Sequence, residues 1–176
     1  SRFQIKPRRL VDVSEVDTSV NVLGVQAESP IFLCPVGSQR AYHSDAELGT
    51  ARAAAAKGHH MILSTQSSTR IEDVAEARGA PIWHQLYSTD RWDNTVLMLQ
   101  RAEAAGATAV CLTIDLPGRR NTETQSRLFR EDDRNCLDCH RGQAKPMFEG
   151  LDMRGARLTD PSMTWDVIGR MKQVTD

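Results

Sequence analysis

The stretch Ala109–Asn121, AVCLTIDLPGRRN, decides how this chain is read. It opens as a short apolar run of the kind that forms a strand buried on both faces. Its character then changes within a few residues. Thr113 and Asp115 bring polar groups to the strand's end, Pro117 and Gly118 stop it, and Arg119 and Arg120 follow as a cationic pair. Buried strands that deliver polar side chains at their C-terminal ends are how α/β proteins build sites.

Three earlier stretches end in the same way. PIFLC, residues 30–34, runs into Pro35, Val36, Gly37 and Ser38. Met61–Leu63 is followed by Ser64, Thr65, Gln66 and Ser67, and Pro81 opens IWHQLY, which carries His84, Gln85 and Tyr87. Helical stretches lie between them. The boxes S-D-A-E at 44–47 and T-R-I-E at 69–72 predict capped helices that close at Gly58 and Gly79. Asp90 is placed to cap a third, with Trp92, Val96, Leu99 and Ala102 at helical spacing and Gly106 at its end. Strands and helices in alternation, joined by short loops, predict βαβ units and a parallel sheet. Ahead of them, in residues 1–29, TSVNVLGVQAE alternates around Gly24 and predicts a β-hairpin.

After Arg120 the rhythm breaks. Residues 121–158 are polar and charged, with no clear strand. Asp160-Pro161 is then expected to start a last helix across 159–176, with Met163, Val167, Met171 and Val174 on one face. His84 alternates with Gln85 and is expected in the packing layer. Trp83, Trp92 and Trp165 also read as packing residues.

The chain's 176 residues suffice for a real core. A net charge of -1 gives no pull toward nucleic acid or anionic membrane, and no apolar run approaches a membrane span. The opening SRFQIKPRR is charged and reads as no signal peptide. Cys34 and Cys111 sit in apolar runs and are expected as buried thiols, which favours a reducing compartment; a cytoplasmic location is the expectation.

The stretch Cys136-Leu137-Asp138-Cys139-His140 matches the c-type haem attachment pattern. Its flanks, REDDRN and RGQAKP, offer no apolar haem pocket, so a polar loop is the plainer reading. A zinc site would have three clustered ligands where a structural site wants four, and a redox disulfide is a third option. A non-catalytic haem- or metal-binding module built on these residues is the alternative reading of the chain. A fragment that serves assembly alone is a further one.

Taken in order, PRRLVDVSEVDTSVNVLG, PIFLCPVG, HMILSTQS, HQLY, LTIDLPGRRN and LTDPSMTWDVIGRM resemble the FMN-dependent α-hydroxy acid dehydrogenases and oxidases, which act on lactate, glycolate and mandelate. The resemblance implies a TIM (β/α)8 barrel of which this chain covers the first four βα units. It implies FMN at the strands' C-terminal ends, with the backbone of Pro35, Val36 and Gly37 along the flavin ring and Ser64, Gln85 and Thr113 on its polar edge. Tyr87 would bind the substrate and Arg120 its carboxylate, with Arg119 able to replace Arg120. Cys34 and Val36 depart from the family's Ala-Pro-Thr-Ala. The family's catalytic Lys and His, a second Arg and the phosphate loop would lie beyond residue 176, so no catalytic residue is expected here and the chain is expected to be inactive alone. Its partners would be a 2-hydroxy acid and the missing barrel half or another copy of the chain; homo-oligomers are expected.

Overall fold

The computed structural model describes residues 3–4, 6–115, 122–131, 145–158 and 160–175. Strands β1 (Val20–Val22) and β2 (Val25–Ala27) form an antiparallel hairpin in which Val22 pairs with Val25. The two turn residues, Leu23 and Gly24, both have positive φ, at 48° and 81°. That is the turn whose twist matches a two-residue hairpin, and Gly24 adopts it without strain.

A three-stranded parallel sheet follows, built from β3 (Ile62–Ser64), β4 (Trp83–Leu86) and β5 (Ala109–Leu112). Its register pairs Ser64 with Gln85 and Gln85 with Cys111. Helices α1 (Ala46–Ala56), α2 (Ile71–Arg78) and α3 (Trp92–Ala104) connect the strands. The helix-facing residues Leu63 and Leu86 pack with Ala51, Ala54, Ile71, Val74, Met98 and Leu99 in one core. His84 is fully buried, and neither ring nitrogen has a hydrogen-bond partner. Burial lowers its pKa to about 4, so it is neutral near pH 7.

The segment expected as the first strand is reduced to one parallel bridge, Leu33 to Met61, extended by the bonds Leu33 N–H to His60 O and Ile62 N–H to Leu33 O. Proline at 30 and 35 removes two ladder donors from this short run. Cys34 is exposed and Cys111 half-buried; neither is the buried thiol expected.

Neither capping box forms. No side-chain cap is made at α1 or α2, and both glutamates are used elsewhere. Glu47 is fully buried and accepts from Ser68 N–H at 2.9 Å, Thr69 Oγ1 at 2.7 Å and Gln39 N–H at 3.3 Å. Burial alone would raise its pKa. The donors outweigh burial and hold it below the ordinary 4.5. Glu72 meets Arg101, whose Nε and Nη2 lie 2.7 and 3.0 Å from its carboxylate oxygens. This pair, chiefly through the Arg101 hydrogen bonds, lowers the Glu72 pKa to about 2. Asp90 does not cap α3 either; its Oδ1 accepts from Arg157 N–H at 2.8 Å.

The polar connection expected over 121–158 contains a helix, α4 (Glu123–Glu131), and a 3-10 turn at Pro146–Phe148. Its end belongs to the core: Met147 and Phe148 are buried, with Leu151, Met153 and Leu158 packed beside them. Arg101 Nη1 holds the Pro146 carbonyl at 2.6 Å, and Arg91 and Asn94 bind the Asp152 side chain and carbonyl at 3.0 and 2.9 Å. The last helix, α5 (Asp166–Met171), begins five residues later than Pro161. Met171 is buried and Arg170 lies 3.8 Å over the Trp92 ring, whereas Trp165 is 85% exposed instead of packed.

Glu47→Ala strands the Ser68 N–H and the Thr69 hydroxyl, so urea unfolding at pH 7 should show a loss on the order of 3 kcal/mol. The folded-state pKa of Glu47 is depressed, so the wild-type contribution is complete above pH 4.5 and is lost as pH falls below it; the variant's deficit should shrink in that acid window. Arg101→Leu should leave the sheet intact but speed hydrogen exchange in residues 146–153. Unchanged exchange there would mean that apolar packing alone holds the segment.

Candidate functional site

At the C-terminal ends of the strands, three polar side chains form one relay. Ser64 Oγ donates to Gln85 Oε1 at 3.1 Å, and Gln85 Nε2 donates to Thr113 Oγ1 at 2.6 Å. Gln66 N–H donates to Ser64 Oγ at 3.1 Å. Thr65 N–H donates to Gln85 Oε1 at 3.3 Å; a backbone N–H can only donate, so this end of the amide is the oxygen and Ser64 spends its own proton on it. The relay therefore ends in donors: the second Nε2 proton of Gln85 and the hydroxyl proton of Thr113. Ser64 and Gln85 are each 5% exposed, so these groups sit at the edge of the protein interior.

Thr65 supports the relay from behind. Its Oγ1 donates to the Gln85 carbonyl and accepts from Tyr87 N–H at 3.1 Å. Cys111 lies in register beside Gln85, and burial pushes its thiol pKa up, which keeps it protonated and unreactive near pH 7.

The loop after the first strand closes over the same end. Ser38 N–H donates to the Gln66 carbonyl at 2.9 Å, and a Cβ on Gly37 would fall 2.7 Å from Gln66 Cβ. Only glycine permits that approach. Lys145 Nζ donates to Ser38 Oγ at 2.7 Å, which ties the distant connection to the rim. Gln66 Nε2 is buried without a partner.

The structure thus brings Ser64, Gln85 and Thr113 together and sets Gly37 against Gln66 beside them. Pro35 is half-buried and Val36 is exposed on the same loop. Tyr87 follows Gln85 by two residues, half-buried, with no bond from its hydroxyl among the described residues. Arg119, Arg120, Cys136, Cys139 and His140 lie outside the described residues. Among the described residues, no group of three metal-ligating side chains occurs. Sequence reading missed Thr65, Gln66, Lys145 and the buried Glu47. Gln66 was within reach of the strand-end argument, two residues beyond Ser64; Lys145 had no local signal.

The FMN-dependent dehydrogenase family model matches residues 1–176. The chain belongs to this family. A peroxisomal (S)-2-hydroxyacid oxidase from Arabidopsis thaliana is 33% identical over 99% of this chain and 49% of its own length. An L-lactate oxidase from a Nostoc species is 34% identical over 94% of this chain and 48% of its length. A mandelate oxidase variant solved with a C4a-OH-FMN adduct is 28% identical with a TM-score of 0.76, covering 98% of this chain and 47% of that one. A flavocytochrome b2 variant, at 24% identity and a TM-score of 0.75, shares the fold. The chain spans about half the length of the curated relatives it matches.

The cofactor of this family is FMN, and the relay residues fit it. A flavin's pyrimidine edge carries acceptors that two neighbouring neutral donors, the Gln85 amide and the Thr113 hydroxyl, can meet. Gly37→Ala should overpack the Gln66 contact and cost about 1–3 kcal/mol in thermal or urea unfolding. An unchanged midpoint would show that this loop yields freely.

Proposed function

We propose that this chain forms the N-terminal half of the flavin-binding barrel of an enzyme that oxidises a 2-hydroxy acid to a 2-oxo acid. The observation that carries this reading is the Ser64–Gln85–Thr113 relay at the strands' C-terminal ends. The names of the relatives support the substrate class: they are (S)-2-hydroxyacid and L-lactate oxidases.

FMN bound here supplies the two-electron acceptor for the hydrogen on the substrate's C2. The chain's own residues bind and orient. Gln85 and Thr113 would donate to the ring's polar edge, and Ser64 locks the Gln85 amide. The backbone of Pro35, Val36 and Gly37 would lie along the ring. Tyr87, two residues past Gln85 at the same end, meets the substrate. Arg120, five residues after Asp115 in the sequence, pairs with its carboxylate, for which a guanidinium fork is suited. The base that takes the hydroxyl proton comes from the other half of the barrel.

Exposed apolar residues support closure by further strands. Val110, Ile114 and Trp165 are exposed at the β5 side, and Ile31, Val36 and Tyr42 at the opposite side. Unpaired edges of this kind need a partner.

Anaerobic spectroscopy of the whole protein tests this reading. Oxidised flavin bands should bleach when L-lactate, glycolate or mandelate is added. Gln85→Leu, which removes two hydrogen bonds at the ring's edge, should weaken FMN binding about tenfold or more. A whole protein that fails to take up FMN would sink the proposal.

A further inference from the structure

Two loops flank the relay, one over residues 35–45 ahead of α1 and one over 65–70 ahead of α2. They meet directly at two points. Ser38 N–H donates to the Gln66 carbonyl at 2.9 Å, and Arg40 N–H donates to Ser68 Oγ at 3.0 Å. The buried Glu47 carboxylate joins them a third time. Its Oε1 accepts from Gln39 N–H in the first loop and from Ser68 N–H in the second, and its Oε2 accepts from the Thr69 hydroxyl.

From these partners, bonds lead to the site on both sides. Gln39 donates Nε2 to the Val36 carbonyl at 3.2 Å, and Thr50 Oγ1 donates to Gln39 Oε1 at 2.6 Å. In the other loop, Gln66 N–H donates to Ser64 Oγ, the first member of the relay. Glu47 thus reaches the Val36 backbone and the relay through its neighbours. Stability alone is a poor account of this carboxylate. Burial is the largest single influence on its ionisation and opposes it; only the donors together outweigh burial. A buried charge adds little net stability, and removing one of its partners is costly. What it does provide is a fixed separation between donors on two loops.

We propose that Glu47 is a positioning residue for the cofactor: it holds the backbone of residues 35–38 at a set distance from Ser64 and Gln66, and so sets the spacing at which the two loops meet FMN. This inference rests on the flavin reading above.

Two conservative variants of the whole protein separate reach from charge. Glu47→Asp keeps the charge and withdraws it by one methylene. Glu47→Gln keeps the reach: its amide oxygen can take the two backbone N–H groups, and its nitrogen can donate to the Thr69 hydroxyl. Leu99→Val, in the core on α3, is the control for lost stability alone. FMN affinity is read by quenching of flavin fluorescence, and hydrogen exchange is read at single amides of the protein free of FMN. Glu47→Asp should weaken FMN binding about tenfold, and Glu47→Gln should stay within about threefold of wild type. Withdrawing the carboxylate frees the Gln39 and Ser68 amides in any case. The deciding amides are Ser38 and Arg40, whose acceptors, the Gln66 carbonyl and Ser68 Oγ, the substitution leaves in place. They should exchange about tenfold faster in Glu47→Asp, and by more than in Leu99→Val. The proposal is overturned if Glu47→Asp binds FMN no more weakly than Leu99→Val, if Glu47→Gln is as weak as Glu47→Asp, or if Ser38 and Arg40 keep their wild-type exchange. A wild-type protein that takes up no FMN overturns the flavin reading instead, and the coupling of the two loops is then decided by Ser38 and Arg40 alone.

Discussion

Much of this structure depends on the side-chain amide of Gln85. A buried amide is costly unless both ends are bonded. Here Oε1 accepts from Ser64 on β3, and Nε2 donates to Thr113 just past β5. One residue on the central strand therefore ties both neighbours at the same height. A slip of one residue along β4 would turn Gln85 into the layer of Leu63 and Leu86 and bring His84 to the polar face. The polar relay and the apolar core thus specify the same register, and each would be lost with the other.

The loops that carry the site are fixed by long-range bonds in place of local helix caps. Glu47, at the start of α1, reaches Ser68 and Thr69 ahead of α2 and Gln39 in its own loop. The first two βα loops are therefore bonded into one body. That body includes Gly37, Ser38 and Gln66, the residues nearest the relay. A capping glutamate would have stabilised one helix end. A buried glutamate shared between two loops sets the position of one strand's end against the next, and this is what a ligand slot requires.

What the sequence disclosed divides along the same line. Periodic features were legible: the alternation around Leu23 and Gly24, and the apolar runs that became β3, β4 and β5. Strand-end polarity marked a wider set, Ser64, Thr65, Gln66, Ser67, Gln85, Tyr87, Thr113 and Asp115, because side-chain alternation is a local property; the family resemblance picked Ser64, Gln85 and Thr113 out of it. Features settled by distant partners were not legible. S-D-A-E and T-R-I-E have the spacing of capping boxes, yet Glu47 and Glu72 find stronger partners some twenty to thirty residues away. Met147, Phe148, Leu151 and Met153 follow neither a helical nor a strand period, so their place in the core depends on Arg101, Arg91 and Asn94 gripping the backbone and Asp152. PIFLC looked like a strand by composition, but flanking prolines left it Leu33 as its ladder residue.

The charge distribution along the sheet has a chemical consequence. The relay contains neutral groups alone, Cys111 beside it stays protonated, and His84 on the reverse face stays neutral. A ligand held by such dipoles meets no fixed counter-charge from the strands. At the rim of this end, Lys145 reaches Ser38 across more than a hundred residues of chain. Oriented neutral dipoles in a buried site need little reorganisation when a ligand's charge changes, and a cation at the edge can act without being buried. A site built in this way suits a ring whose electron count changes during turnover better than one that merely carries a permanent charge.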